Sequence, residues 1–114
     1  TRLNQVCKMV ELKKIYLVTA THHPYHELWS KLAKELADKM NTELEVRYED
    51  YVFLIEHGDT DEYGMAWVPQ ILAEFTDGTI ITLLSQLPLN EALKPDPDKA
   101  IEIMVNKIRE YLGK

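Results

Sequence analysis

Hydrophobic and polar residues change their spacing several times along the chain, and each change marks an element. Ile15, Tyr16, Leu17 and Val18 form an uninterrupted β-branched and aromatic run, the pattern of a short central strand buried on both faces. From residue 24 to residue 40 the period lengthens. Leu28, Trp29, Leu32, Ala33, Leu36, Ala37 and Met40 recur every three or four positions, while Lys31, Lys34, Glu35, Asp38 and Lys39 occupy the other side, which predicts an amphipathic helix. Residues 43–48 then alternate strictly, with Leu44, Val46 and Tyr48 on one side, as a second strand would. A helix between two strands makes them a parallel pair joined by a right-handed crossover.

The second half reads differently. Residues 49–63 contain the continuous apolar run 51–55, here taken as a helix rather than a strand extension. Residues 70–75 and 79–84 flank Asp77-Gly78, a turn pair that predicts an antiparallel hairpin. Asp96 is the expected N-cap of a last helix with Pro97 at its first position, a stripe of Ile101, Met104, Val105, Ile108, Tyr111 and Leu112, and a stop at Gly113. Residues 1–13 place Leu3, Val6 and Val10 at helical spacing but also alternate in places, so they read as a short helix or an added strand. The order is β-α-β-(α)-β-β-α. It describes one α/β domain over residues 1–114, with an N-terminal extension at 1–13 and a core at 14–112. The core is a central mixed four-stranded sheet, a parallel β-α-β half plus an antiparallel hairpin, flanked by helices.

Composition narrows the partners. Of 114 residues, 46% are hydrophobic and 28% charged, the balance of a folded domain. Thirteen basic against nineteen acidic side chains leave a net charge of -6, which repels nucleic acid and anionic membrane surfaces alike. The absence of a long apolar run and of an apolar stretch at Thr1 to Gln5 leads to the expectation of a cytoplasmic protein. Cys7 is the single cysteine, so no dithiol chemistry is available within these residues. It reads as a small, partly buried hydrophobe.

Two local sequences resemble the thioredoxin-like superfamily, with glutaredoxins and protein disulfide oxidoreductase domains nearest. Tyr63-Gly64-Met65-Ala66-Trp67-Val68-Pro69-Gln70 is similar to the family's cis-proline segment, in which a Tyr-Gly pair precedes a Val/Ile-Pro dipeptide that opens the third strand. The first strand running into His23-Pro24-Tyr25-His26 has the length of a glutaredoxin strand entering its Cys-Pro-Tyr-Cys motif, with histidines at both cysteine positions. The resemblance implies a thioredoxin-like fold across residues 14–112. It also implies that His23 sits at the N-cap of the long helix, where the family's nucleophilic thiolate would be, and that His26 takes the place of the resolving thiol. An imidazole does neither job, so dithiol-disulfide oxidoreductase activity is expected to be absent. Glutathione binding is not expected either, because Trp67 is bulky and Ser85-Gln86-Leu87-Pro88 stands where the family has a glycine pair.

Three functional classes remain. The first is a non-catalytic module that binds a protein or peptide partner in a groove made by Thr21, His22, His23, Pro24, Tyr25 and His26 with Trp67, Val68, Pro69 and Gln70, Trp67 acting as an aromatic anchor. The second is a metal-binding protein that uses His22, His23 and His26 for zinc, copper or nickel, with His57 joining only if its loop folds over the helix start. The third is an enzyme with His23 as general base. Beside these stands a structural reading in which His23 caps the helix and His26 fills the old thiol space, hydrogen-bonded to backbone. Asp59, Asp61 and Glu62 read as a solvated acidic loop, and Trp29 reads as core.

Overall fold

The computed structural model describes residues 10–113; the reading of Leu3, Val6 and Cys7 lies outside the described residues. The elements are β1 (Leu12–Thr19), α1 (His26–Lys39), β2 (Glu43–Tyr48), α2 (Tyr51–His57), β3 (Gln70–Phe75), β4 (Ile80–Leu84) and α3 (Pro97–Leu112). The four strands form one mixed sheet in the order β2-β1-β3-β4. β1 runs parallel to β2, whereas β3 is antiparallel to both β1 and β4. Among the described residues no helix is long and apolar enough to cross a membrane.

β1 is longer than its apolar run. It begins at Leu12, so Leu12 and Lys13 belong to the sheet and not to an N-terminal extension. Long-range pairing explains the difference: Leu12 lies opposite Phe75, and the Glu11 and Thr76 backbones are tied by a bond from Thr76 N–H to Glu11 C=O. From Ile15 to Thr19 every β1 residue is buried, because successive side chains enter two different cores. Ile15 and Leu17 pack with Ile71, Ala73 and Phe75 beneath α1 and α3. Tyr16 and Val18 pack on the opposite face with Leu54 of α2 and Leu72 of β3.

The two long helices bury the stripes that their periodicity predicts. α1 buries Trp29, Leu32, Ala33, Leu36 and Ala37, and α3 buries Ala100, Ile101, Met104, Val105 and Ile108. Asp96 caps α3 by accepting the Lys99 amide at 3.1 Å, and Gly113 ends it in the left-handed region, φ 76°, where a residue without Cβ is at ease. The hairpin forms as expected around Asp77-Gly78. Tyr111, at the end of α3, stacks on Phe75 and donates its hydroxyl to Asp77 Oδ2 at 2.6 Å.

The apolar run 51–55 forms the expected helix and residues 43–48 the expected strand, each with a feature that the pattern did not give. The helix within residues 49–63 is only Tyr51–His57: Asp50 caps it by accepting the Phe53 amide, and Gly58 leaves it in extended conformation. Residues 58–69 then form a loop. In β2, the apolar side is not fully covered. Leu44 packs against the main core, but Val46 and Tyr48 are exposed, since β2 is an edge strand. On the α2 face, Arg47 of β2 supplements the short helix. Its guanidinium lies 4.7 Å from the Phe53 ring centroid and 5.4 Å from that of Tyr16, and it pairs with Glu45 at 2.9 Å and Asp50 at 2.8 Å.

These polar ties make stability depend on acid pH. The Asp50 carboxyl is held below its ordinary range by the Phe53 amide first and by Arg47 second. Asp77 is lowered by the Tyr111 hydroxyl first and then by the Thr79 amide. Both carboxyls therefore bind protons more readily in the unfolded chain, and their stabilisation is present above the unfolded pKa and lost as pH falls through the folded one. Thermal unfolding should be nearly constant between pH 7 and pH 5 and fall below about pH 4, the range of a free aspartate. The fall should be shallower in Asp50→Asn/Asp77→Asn; an unchanged acid slope in that variant would show that these ties do not carry it.

Candidate functional site: a groove at one end of the sheet

Strand register decides which loops meet. Val18 near the end of β1 pairs with Gln70, the first residue of β3, and Ile71 pairs with Leu84, the last of β4. The turn after β1, the segment before β3 and the segment after β4 are therefore neighbours at one end of the sheet. They enclose an open groove of about 580 Å³. His23 and Tyr25 line it from the first turn, and Trp29, one turn into α1, adds the edge of its buried indole. Asp61 and residues 67–69 form a second wall, and Ser85, Gln86 and Leu87 a third.

The turn into α1 has its own logic. His23 N–H donates to Ala20 C=O and His26 N–H to His23 C=O, so the chain closes a compact turn before the helix begins. The helix starts at His26, with Tyr25 at the N-cap and no side chain capping it. His23 is thus two residues short of the N-cap position implied by the resemblance. Its Nδ1 instead accepts the Tyr25 amide at 3.0 Å, which requires a lone pair there and places the proton of the neutral ring on Nε2. His26 is not among the groove residues. Its Nδ1 lies 3.0 Å from the buried Thr19 hydroxyl, and its ring faces Tyr48 at 6.2 Å, so its partner is a side chain and not the expected backbone.

The second wall is built around one buried amide. Gln70 is fully buried. Its Oε1 accepts the Asp59 amide at 2.9 Å, while its Nε2 donates to the carbonyls of Asp59 at 3.0 Å and Trp67 at 2.9 Å. Both ends of the 59–67 loop are thereby tied to the start of β3. Within the loop, Asp61 Oδ1 accepts the amides of Tyr63 and Met65, and Gly64 makes the turn at φ 79°. Gly58 is required for this fit: a Cβ there would lie 2.7 Å from Gln70 Oε1 and 2.8 Å from Leu54 Cδ2. The Val68–Pro69 peptide bond is cis.

Trp67 is half-buried and fixed in place, its indole Nε1 donating to the Ser85 carbonyl at 2.9 Å. Ser85 Oγ in turn donates to Asp59 Oδ2 at 2.6 Å, which links the second and third walls.

Of the residues anticipated for the groove, His23, Tyr25, Trp67, Val68 and Pro69 are brought together. Thr21, His22 and Pro24 lie on the turn outside it. Gln70 acts from underneath. His57 ends α2 with its ring 5.0 Å from Phe53, away from the groove. Among the described residues, no group of three or more His, Cys, Asp or Glu side chains is placed to hold a metal ion. Asp61, read from the sequence as a solvated loop acid, and residues 85–87, noted there only as a departure from a glycine pair, also line the groove. The Asp-x-x-Gly spacing of Asp61 and Gly64 was the available signal for the turn, but nothing local shows that the turn faces Trp67. Compared with family models, curated proteins and solved structures, the chain matches none.

The buried amide gives a direct test of how the groove is held. Gln70→Leu preserves side-chain bulk but removes three hydrogen bonds, and should cost about 1–3 kcal/mol in denaturant unfolding. Gly58→Ala should cost about 1–3 kcal/mol through overpacking against the same carboxamide. If both variants unfold like the parent chain, the loop is not anchored through Gln70.

Proposed function

We propose that this chain is a thioredoxin-like domain, without dithiol chemistry, whose groove binds an extended segment of a partner protein. The observation that carries the reading is the meeting of three loops around a largely apolar groove with Trp67 as its fixed aromatic wall. An indole whose N–H is already satisfied and whose rotation is restrained loses little freedom on binding, the property of an interface anchor. The sheet order and the parallel-plus-hairpin arrangement support the fold name, and the single cysteine supports the lack of a dithiol. Peptide backbone has a docking edge as well. Among the described residues, the hydrogen bonds that hold residues 67–70 in place do not use the Val68 amide or carbonyl, so that residue is available to pair with an extended strand.

Polar chemistry in the groove suits recognition. His23 presents Nε2–H as a donor, and Ser85 is engaged with Asp59 and not with an imidazole.

A library of acetylated, amidated heptapeptides, screened by tryptophan fluorescence and followed by titration of the best binders, tests this function. Trp67→Ala should weaken the best binder by about thirtyfold or more, as loss of an anchor worth about 2 kcal/mol requires, and affinity should be the same in chelator. Binding that survives Trp67→Ala unchanged, or a library in which nothing binds, sinks the reading. Affinity lost in chelator and in His23→Ala would transfer the site to metal.

A further inference from the structure

The groove's charge and its aromatic walls together specify more than an apolar cleft. Asp61 is the sole formally charged side chain among the described groove-lining residues. Its Oδ1 is occupied by the Tyr63 and Met65 amides at 2.9 and 3.0 Å, which holds the carboxylate in a fixed orientation and leaves Oδ2 for an incoming donor. No ion pair among the described residues involves a groove residue; those present join Lys13, Lys14 and Arg47 to Glu45, Asp50 and Glu74. Aromatic surface in the same groove comes from Tyr25, which is 47% exposed, and from Trp67. Negative ring faces beside an uncompensated carboxylate favour a cation. The net charge of -6 acts in the same sense at longer range.

We infer that the extended segment bound in the groove carries a basic side chain, arginine before lysine, whose aliphatic stem lies on the apolar floor and whose cationic head meets Asp61 beside the rings of Tyr25 and Trp67. This rests on the peptide-binding function proposed above and names the chemistry of its ligand. An apolar side chain would cover the floor but offer the exposed Asp61 carboxylate no donor. An acidic one would meet like charge. Arginine ranks first because its planar guanidinium is weakly hydrated and stacks on aromatic faces, whereas the lysine ammonium is a compact, strongly hydrated charge.

The test uses the best heptapeptide scaffold from the library with arginine, citrulline, leucine or glutamate at the position that contacts the groove. Citrulline keeps the shape of arginine without its charge. The arginine peptide should bind about tenfold more tightly than the citrulline peptide, a gap consistent with one cation–π contact plus one partly exposed ion pair, and the glutamate peptide should bind most weakly. Raising salt from about 50 to about 500 mM should narrow the arginine-citrulline gap, because exposed charges are screened. Asp61→Asn keeps an oxygen to accept the Tyr63 and Met65 amides, so it should melt like the parent and lose the preference for arginine over citrulline. Equal binding of the arginine and citrulline peptides, a preference for leucine, or a charge preference that persists in Asp61→Asn overturns the inference while leaving the peptide groove intact. If no peptide binds, the groove function fails and this inference with it. Should Asp61→Asn unfold, the salt series on the parent chain decides, and an arginine-citrulline gap that high salt leaves unchanged overturns the inference.

Discussion

Everything in this molecule hangs on β1 being buried on both faces. A strand with Ile15 and Leu17 on one side and Tyr16 and Val18 on the other has no face left for water, so it must lie inside a sheet and that sheet must be covered twice. Parallel pairing with β2 and antiparallel pairing with β3 satisfy its edges. The two long helices cover one face. The other is covered by a helix of only seven residues, by the loop that follows it, and by the guanidinium of Arg47 over Phe53 and Tyr16. Unequal covering of this kind leaves part of the second layer to a loop, and that loop becomes a wall of the groove.

Such a wall has to be held without regular secondary structure. Gln70 does this by taking the place of strand partners for the loop backbone, and it can do so only because Gly58 has no side chain to push the carboxamide away. A buried carboxamide with all its bonds made costs little, whereas one with a missing partner costs the desolvation of the orphaned group, so the position of Trp67 is coupled to the integrity of the fold. The Ser85–Asp59 and Trp67–Ser85 contacts continue the same network into the segment after β4. Pre-positioned walls lower the entropy lost on binding.

His23 and His26, at the turn into α1, serve different ends. With His23 accepting a backbone amide and His26 directed to Thr19 and Tyr48, the pair diverges from the turn they share. One imidazole belongs to the groove and the other to the underside of the turn. Their spacing of three residues would place both on one side of a regular helix, but the helix begins only at the second of them.

Much of the architecture was legible because it follows from local periodicity. The stripe of α1, the Asp96-Pro97 start and Gly113 stop of α3, and the Asp77-Gly78 hairpin are all statements about residues within one or two turns of each other, and water sorts such residues by face whatever the rest of the chain does. What the chain alone could not disclose was long-range. The extension of β1 to Leu12 depends on Phe75, the exposure of Val46 and Tyr48 depends on which strand lies at the edge, and the role of Gln70 depends on Gly58 at the other end of the loop. Asp61 is exposed, as the reading of a solvated acidic loop has it, but only the register of three strands sets it in one groove with Tyr25 and Trp67. Local sequence determined which segments are helices and strands, since that is decided by each segment's own hydrophobic period; tertiary structure decided which loops share a groove, since that is set by strand pairing between residues far apart in the chain.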